Sequence, residues 1–308
     1  TGGSTDGGKT SWKNVLIRSQ VFADDTVNVF ADFKHGQAAR PWAPAMGLVL
    51  TDVTDFRDFM RDLLREAAWR GENVAGDAWV PQRDGAPRIR VWIDEFAEAA
   101  GDYRTVELLE SGLRRFRSLG IGFDIATQVT TNSGIGSGAI KGQCSIRACT
   151  RMEERSHAKH VLRDHSLVDA TRIPQNRPGS IYLEAEGARR GSLIRAAWME
   201  REYIEQFAKQ QASRQPALSS LIGRSAFIGT ATPTPSMKEP AVPTQSRFVD
   251  LEKAAMVEAE TLAPLPAEPI AATFAAVGYG EELHEPGDDA ADTFLLSVAG
   301  RYLDEGFQ

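Results

Sequence analysis

The chain has 308 residues, of which 42% are hydrophobic and 25% are charged, which is ordinary for a globular protein and is enough chain for one sizeable core or two small ones. The formal net charge of −7 is unevenly distributed: residues 1–212 hold 29 Lys and Arg against 28 Asp and Glu, whereas residues 213–308 hold 6 against 14. A near-neutral first part does not exclude nucleic-acid binding through a local basic face. No run of 18 apolar residues occurs, which excludes a membrane span, and the spacing of Cys144 and Cys149 excludes a CxxC redox pair.

Strand-like and helix-like segments alternate through residues 1–200, which predicts an α/β fold with a mostly parallel sheet and helices on both faces. The predicted elements are, in chain order, a helix at 9–22, a strand at 27–31, a helix at 55–70, a strand at 89–93, a helix around 106–116, strands at 123–126 and 145–149, a hairpin of 180–184 with 193–198, and a helix at 201–211. Trp92 and Trp198 fall on the apolar strands and are expected in the core.

The composition changes after residue 212. Nine of the 15 prolines lie between Pro216 and Pro286, among Ala, Thr, Ser and Glu. Such a segment cannot bury a core, so we expect three parts: a folded domain at 1–212, a disordered linker at 213–288 and a possible short helix at 289–308.

The strongest motif is a phosphate-binding loop at the start of the chain. Residues Gly3, Ser4, Thr5, Asp6, Gly7, Gly8, Lys9 and Thr10 fit the pattern GxxxxGK[ST], and Ser11 follows them. Glycines let backbone N–H groups turn towards phosphate oxygens, Lys9 reaches the β- and γ-phosphates, and the Thr10 hydroxyl takes a Mg²⁺ position. A glycine-rich turn before a helix is the alternative interpretation of this motif alone.

A second motif is the hydrophobic strand at 90–93 that ends in Asp94 and Glu95. This is the Walker B arrangement, in which Asp94 would hold Mg²⁺ through its water shell and Glu95 would orient and deprotonate the attacking water. Gln128 closes the next predicted strand and could sense the γ-phosphate, although a plain polar strand end would look the same. Together the two main motifs predict a site for ATP and Mg²⁺.

The order of these motifs resembles the motor of the FtsK/SpoIIIE/TraB family of DNA translocases over about residues 1–200. The series consists of the phosphate-binding loop, Asp32-Phe33-Lys34, Ile93-Asp94-Glu95, Arg117-Ser118-Leu119-Gly120-Ile121, Ala126-Thr127-Gln128, Ile140-Lys141 and Pro178-Gly179-Ser180-Ile181-Tyr182. The loop departs from the usual Thr-Gly-Ser-Gly-Lys because it carries Asp6, a carboxylate that should weaken phosphate binding unless it points away. Val129 and Thr130 stand where the family often has Arg-Pro, and Phe116 stands where the family has Gly. These departures suggest a divergent branch, such as the transfer proteins of actinobacterial plasmids and integrative elements.

The resemblance implies a RecA-like core in a homo-oligomeric, hexameric ring with double-stranded DNA in its pore. Arg117 matches the arginine that completes a neighbouring subunit's site, although a solvated helix-end arginine is the alternative. Residues 130–142, with Lys141, could line the pore or form a plain connection. Because a phosphate-binding loop needs a strand before it, we expect a missing N-terminal part, which could carry a membrane anchor and place the protein in the cytoplasm at the membrane's inner face.

Three functions remain open at this stage. The first is an ATP-driven motor that moves double-stranded DNA in conjugative transfer or chromosome segregation. The second is a type VII secretion-like ATPase that moves protein. The third is a nucleotide-binding regulatory or scaffold domain that hydrolyses little, against which the intact Lys9, Asp94 and Glu95 argue.

Overall fold

The computed structural model describes residues 1–129, 134, 136–166, 168–185, 188, 191–218 and 221. The predicted helix at 289–308 and the predicted linker from 222 onwards lie outside the described residues. Part of the candidate pore segment, 130–133 and 135, and four residues at the tip of the predicted hairpin also lie outside them. Among the described residues, no helix is long and apolar enough to cross a membrane.

The regular elements follow one another in an α/β order. They are α1 (Lys9–Gln20), β1 (Thr26–Asp32), β2 (Leu48–Leu50), α2 (Val53–Asn73), α3 (Pro81–Asp84), β3 (Arg88–Asp94), α4 (Ala97–Ala100), α5 (Tyr103–Phe116), β4 (Ile121–Ile125), α6 (Gly138–Gln143), β5 (Arg147–Cys149), β6 (Ser180–Glu184), β7 (Leu193–Arg195) and α7 (Arg201–Gln211). Short 3₁₀ helices at Arg40–Ala45, Arg117–Leu119, Arg155–His160, Ala170–Arg172 and Ala212–Arg214 connect them.

Two sheets meet at the start of the chain. The first has the order β2-β1-β3-β4 with all neighbours parallel, and the second is the antiparallel set β5-β6-β7. Gly2 forms a parallel bridge with Thr127, just after β4, and another with Cys149 on β5. The residues immediately before the phosphate-binding loop therefore join the sheets, and the loop leaves the junction at the carboxyl end of β4.

Alternation along β1 and β3 divides the interior into two hydrophobic layers. Val29 and Val91 point to the layer that is covered by α2 and α5, whereas Phe30 and Trp92 point to the layer that is covered by α1 and α7. Both strands are almost fully buried, which is expected of parallel strands covered on both faces. The predicted α/β class, the mostly parallel sheet, the helices on both faces and the C-terminal hairpin are confirmed.

Some details differ from the prediction. The edge strand β2 was not predicted because its three residues show no usable alternation. Trp198 was wrongly placed in the core: β7 ends at Arg195, and Trp198 lies in the connection to α7 with 70% of its surface exposed.

The packed chain also extends past residue 212, where the composition changes. The Gln215 side chain donates to the Val21 carbonyl at 2.9 Å and accepts from Asn28 Nδ2 at 3.1 Å. Leu218 and Leu221 are buried in the same layer as Val29 and Val91. The first nine residues of the segment predicted as linker thus include side chains that pack on the domain.

Candidate functional site

The phosphate-binding loop adopts a backbone that only glycine fits at two points. A Cβ on Gly3 would lie 1.7 Å from Thr150 Oγ1. Gly8, the residue before α1, has a φ of 92° and a Cβ there would lie 1.9 Å from the Gly179 nitrogen. Asp6 also has a positive φ of 57°, a region that asparagine and aspartate enter more readily than most other residues. The loop therefore has a defined shape that ends at the amino terminus of α1.

Two polar side chains of the loop attach it to neighbouring segments. The Ser4 nitrogen and the Ser4 hydroxyl each donate to the Arg151 carbonyl at 2.9 Å. The Thr5 hydroxyl donates to Gln128 Oε1 at 2.9 Å. These bonds connect the loop on one side to the segment after β5 and on the other to the turn after β4.

Lys9 is buried and points back into the loop. Its Nζ donates to the carbonyls of Gly3 and Ser4, both at 2.7 Å. Burial lowers the pKa of Lys9 to about 8, while the nearby carboxylates of Glu95 and Asp94 act in the opposite direction. The ammonium group therefore lies in the loop and within electrostatic reach of both predicted Walker B carboxylates.

Asp94 ends β3 and forms an ion pair with Lys13, the residue one helical turn beyond Lys9 on α1. Burial opposes ionisation of the Asp94 carboxyl, but Lys13 and the more distant Lys9 and Lys34 hold its pKa below the usual value. Lys13 also donates to the Ile93 carbonyl at 3.3 Å. Asp94, the carboxylate that the sequence assigns to Mg²⁺, is thus already paired with the ammonium group of Lys13.

Glu95 follows directly, with a positive φ of 51° and only 5% of its surface exposed. Oε1 accepts from the Gln128 nitrogen at 2.9 Å and from the Thr127 hydroxyl at 3.2 Å, and Oε2 accepts from Lys34 Nζ at 3.1 Å. The left-handed backbone and these three bonds fix the direction of the carboxylate. A base held in this way needs little rearrangement to orient a water molecule.

Asp32, at the end of β1, fixes the backbone turn that carries Lys34. Its fully buried carboxylate accepts from the backbone nitrogens of Lys34, Ala38 and Ala39 at 3.0, 2.7 and 3.1 Å. These bonds shape the turn after β1 so that the Lys34 side chain reaches Glu95 on the neighbouring strand. In the Asp-Phe-Lys sequence, Asp32 therefore fixes the backbone of the turn, and Lys34 contributes its side chain to the site.

The residues predicted to hold Mg²⁺ suit that ion chemically. Thr10 is exposed at the first turn of α1, and Asp94 retains partial exposure at the strand end. Mg²⁺ is commonly bound by one or two oxygen ligands of the protein together with substrate phosphates. Among the described residues there is no group of three or more His, Cys, Asp or Glu side chains that could hold a metal alone. A metal shared with a nucleotide fits this sparse set, whereas an all-protein metal cage does not.

Two predicted site residues lie elsewhere in the same chain. Arg117 is exposed and precedes β4, so it lies at the far end of the strand from Gln128. Lys141 lies on α6, and its Nζ donates to the Lys159 carbonyl at 2.5 Å. Neither Arg117 nor Lys141 lies beside Lys9, Asp94 and Glu95. A third predicted residue, Ser11, is buried on α1 just beyond the loop.

Three contributors were not singled out from the sequence. Lys13 had a usable signal, since position i+4 from Lys9 lies on the same helix face. The Arg151 carbonyl had none, because any residue supplies a carbonyl. Gly179 was noted only as part of a Pro-Gly motif, yet its nitrogen donates to the Gly7 carbonyl at 3.4 Å, and its φ of 86° favours glycine at this position.

A glycine-shaped loop before a helix and two carboxylates at the end of a parallel strand are the arrangement that is typical of P-loop nucleotide-binding proteins. Solved structures share the fold. The cytoplasmic domain of the type VII secretion ATPase EccC of Thermomonospora curvata is 20% identical, with a TM-score of 0.55, and the match covers 70% of this chain and 28% of that one. ATPases 2 and 3 of EssC from Geobacillus thermodenitrificans are 18% identical, with a TM-score of 0.52, covering 72% and 44%.

The pCW3 conjugation coupling protein TcpA, in a monomer form with ATPγS, is 21% identical, with a TM-score of 0.49, and the match covers 61% of this chain and 56% of that one. No family model matches the chain, and no curated protein matches its sequence. This chain spans less than two thirds of each of these proteins. EccC and EssC are FtsK/SpoIIIE-type ATPases, and their likeness to this chain confirms the predicted resemblance at the level of the fold.

Proposed function

We propose that this chain is the ATP-hydrolysing motor domain of an FtsK/SpoIIIE-type translocase and that it moves double-stranded DNA. The observation that supports ATP hydrolysis is the convergence of Lys9, Asp94 and Glu95 at the carboxyl edge of one parallel sheet. Ligands of open α/β sheets bind at this edge. A domain that only bound nucleotide would not need a buried, fixed carboxylate beside the phosphate-binding lysine.

The roles of the residues follow from their positions. Lys9 exchanges its bonds to the loop carbonyls for phosphate oxygens, and the N-terminus of α1 adds backbone donors. Thr10 and Asp94 would hold Mg²⁺, which neutralises charge on the phosphates when bound. Glu95 accepts a proton from the attacking water, and its bonds to Gln128 and Lys34 keep it aimed.

Gln128 connects the two halves of this proposed site. Its side chain accepts from Thr5 of the loop, and its backbone nitrogen donates to Glu95. A change in the loop on γ-phosphate binding or release would therefore reach the base through one residue. This arrangement supports the proposal that Gln128 senses the γ-phosphate.

Double-stranded DNA is the substrate that the motif order favours, through the Arg117 segment, the Ala-Thr-Gln strand end and the Pro-Gly segment that contacts the loop. A specific observation also favours a second candidate. Neighbours with TM-scores above 0.5 include the type VII secretion ATPase EccC, so movement of protein is the alternative substrate proposal.

One experiment separates these proposals. We expect steady-state ATP hydrolysis by the full chain to rise several-fold on addition of linear double-stranded DNA, and the Lys9→Ala variant to show no turnover with or without DNA. A rate of ATP hydrolysis that is the same with and without DNA would contradict the DNA proposal and favour protein transport. No hydrolysis under either condition, in protein with a normal melting transition, would overturn the motor proposal itself.

A further inference from the structure

Lys13 is a buried lysine that the proposed hydrolysis reaction does not require. Only 2% of its surface is exposed, and its ammonium group lies 5.4 Å from the centroid of the Phe30 ring. Its hydrogen-bond acceptors are Oδ1 of Asp94 and the Ile93 carbonyl at 3.3 Å. The phosphate contact belongs to Lys9, one turn earlier, so Lys13 points only at the end of β3.

Burying an ammonium group is costly unless a partner of opposite charge compensates it. The partner here is the carboxylate that the proposed function assigns to Mg²⁺. Three lysines, Lys9, Lys13 and Lys34, surround the two carboxylates of Asp94 and Glu95. The buried Asp32 carboxylate lies opposite Asp94 in the register of β1 and β3, so three lysines and three carboxylates balance in this cluster without a metal. A dication that approached Asp94 alone would add positive charge beside Lys13 and would be repelled by it.

We propose that Lys13 is a built-in counter-ion of Asp94, which keeps a divalent cation from binding there until a nucleotide brings its own negative charge. The proposal rests on the proposed function, because it assumes that Asp94 is the metal-facing carboxylate. The phosphates of ATP make the local charge negative, so metal and nucleotide enter together. Lys13 is a positioning residue, since it acts through Asp94 and touches neither metal nor substrate.

The direct test measures Mn²⁺ binding to the nucleotide-free full chain by the electron paramagnetic resonance signal of free Mn²⁺. Lys13→Met keeps the length of the side chain and removes its charge. We expect this variant to bind Mn²⁺ at least tenfold more tightly than wild type, and Asp94→Asn added to it to abolish the gain. The exposed Lys209→Met on α7 is the matched control and should bind Mn²⁺ as wild type does.

If Lys13→Met does not fold, Lys13→Gln is the second variant, since glutamine is neutral and can still donate a hydrogen bond to Asp94. Lys13→Gln should show the same gain, because the charge and not the hydrogen bond repels the metal. A folded Lys13→Met or Lys13→Gln with wild-type Mn²⁺ affinity overturns the proposal.

A second measurement leaves Lys13 in place. Without nucleotide, wild type and Asp94→Asn should bind Mn²⁺ equally weakly, whereas with ATPγS the Asp94→Asn variant should bind it at least tenfold more weakly than wild type. If nucleotide-free wild type binds Mn²⁺ tightly and Asp94→Asn loses that binding, Lys13 does not exclude the metal. Failure of ATP hydrolysis in wild type, with the Mn²⁺ results as expected, would overturn the proposed function and leave the counter-ion role intact.

Discussion

Lys34 and Glu95 form an ion pair of 3.1 Å across the ends of two neighbouring parallel strands, in which the lysine side chain is 44% exposed and the glutamate side chain is 6% exposed. The pairing follows from the register, since Asp32 lies opposite Asp94 and each functional residue comes just after that pair. The exposed partner can leave at little cost, whereas the buried carboxylate keeps its bonds to Thr127 and Gln128. Glu95 is thus held by two contacts that stay and one that can move.

The fixed carboxylate of Glu95 leads to the first prediction. Glu95→Gln should bind ATP with nearly wild-type affinity and hydrolyse it at least about 100-fold more slowly, because the amide is of similar size but cannot accept the proton of water. Single-turnover hydrolysis and ATPγS binding measure the two effects separately. Turnover at the wild-type rate would show that the base is another residue.

The pKa of Lys9 leads to a prediction on pH. Burial lowers this pKa to about 8, so nucleotide-free protein increasingly loses the ammonium charge as the pH rises through 8. Phosphate oxygens favour the charged form, so nucleotide binding should take up protons above pH 8, and the affinity should fall as the pH rises further.

Titration calorimetry of ATPγS at pH 8.5, in buffers of different ionisation enthalpy, measures this proton uptake. Lys9→Met, which has no titrating group at this position, should show weak binding with no proton uptake assignable to residue 9. Equal uptake in wild type and Lys9→Met would contradict the assignment.

Asp6 carries the third prediction because it has both a left-handed backbone and a charge in a phosphate-binding loop. Asp6→Asn should tighten ATPγS binding several-fold at low salt, with a smaller gain at high salt, because it removes a screened repulsion. Asp6→Gly should add an increase in melting temperature, since a left-handed residue with a Cβ costs on the order of 1 kcal/mol. If neither variant changes affinity, the Asp6 carboxylate points away from the phosphates.

The sequence predicts the site best where all the residues of a functional feature lie within one short motif. The loop at 3–10 and the strand that ends in Asp94 and Glu95 could be predicted because local spacing specifies both. Lys34 and Thr127 could not be paired with Glu95 from sequence, since their contacts depend on the parallel register of β1, β3 and β4. Trp198 shows the opposite failure: an apolar neighbourhood predicts burial, but a strand that stops three residues earlier leaves the ring exposed.

Residues 215–221 lead to the fourth prediction. Their composition resembles that of the proline-rich tail, yet Leu218 and Leu221 are buried and Gln215 bonds to Asn28. Deletion of 213–308 should therefore lower the melting temperature by roughly 6–24 °C, because exposing the sites of two buried leucines costs roughly 3–6 kcal/mol. Deletion of 222–308 is the matched control and should keep the wild-type melting temperature and ATPase rate. Equal stability of both truncations would show that these contacts contribute nothing.

Arg117 carries the last prediction, which concerns a neighbouring subunit. The residue is exposed at the amino end of β4, away from the loop of its own chain, so any role in hydrolysis has to be exerted on another copy. An arginine inserted from a neighbour stabilises charge that develops on the γ-phosphate and contributes about 10³–10⁵ in rate in well-studied P-loop enzymes. Arg117→Ala should therefore bind ATPγS normally and hydrolyse ATP poorly, while Arg114→Ala, on the same exposed helix end, should remain active.

Mixing two inactive variants tests the trans arrangement directly. Arg117→Ala subunits keep an intact Lys9, and Lys9→Ala subunits keep an intact Arg117, so a mixed assembly contains some interfaces at which both residues are present. ATP hydrolysis should return on mixing, in proportion to the fraction of such interfaces, and subunit exchange is followed by fluorescence energy transfer between labelled copies. Exchange without recovered hydrolysis, or full activity of Arg117→Ala alone, would show that Arg117 is a surface charge, because a residue that acts only within its own chain cannot complement another subunit.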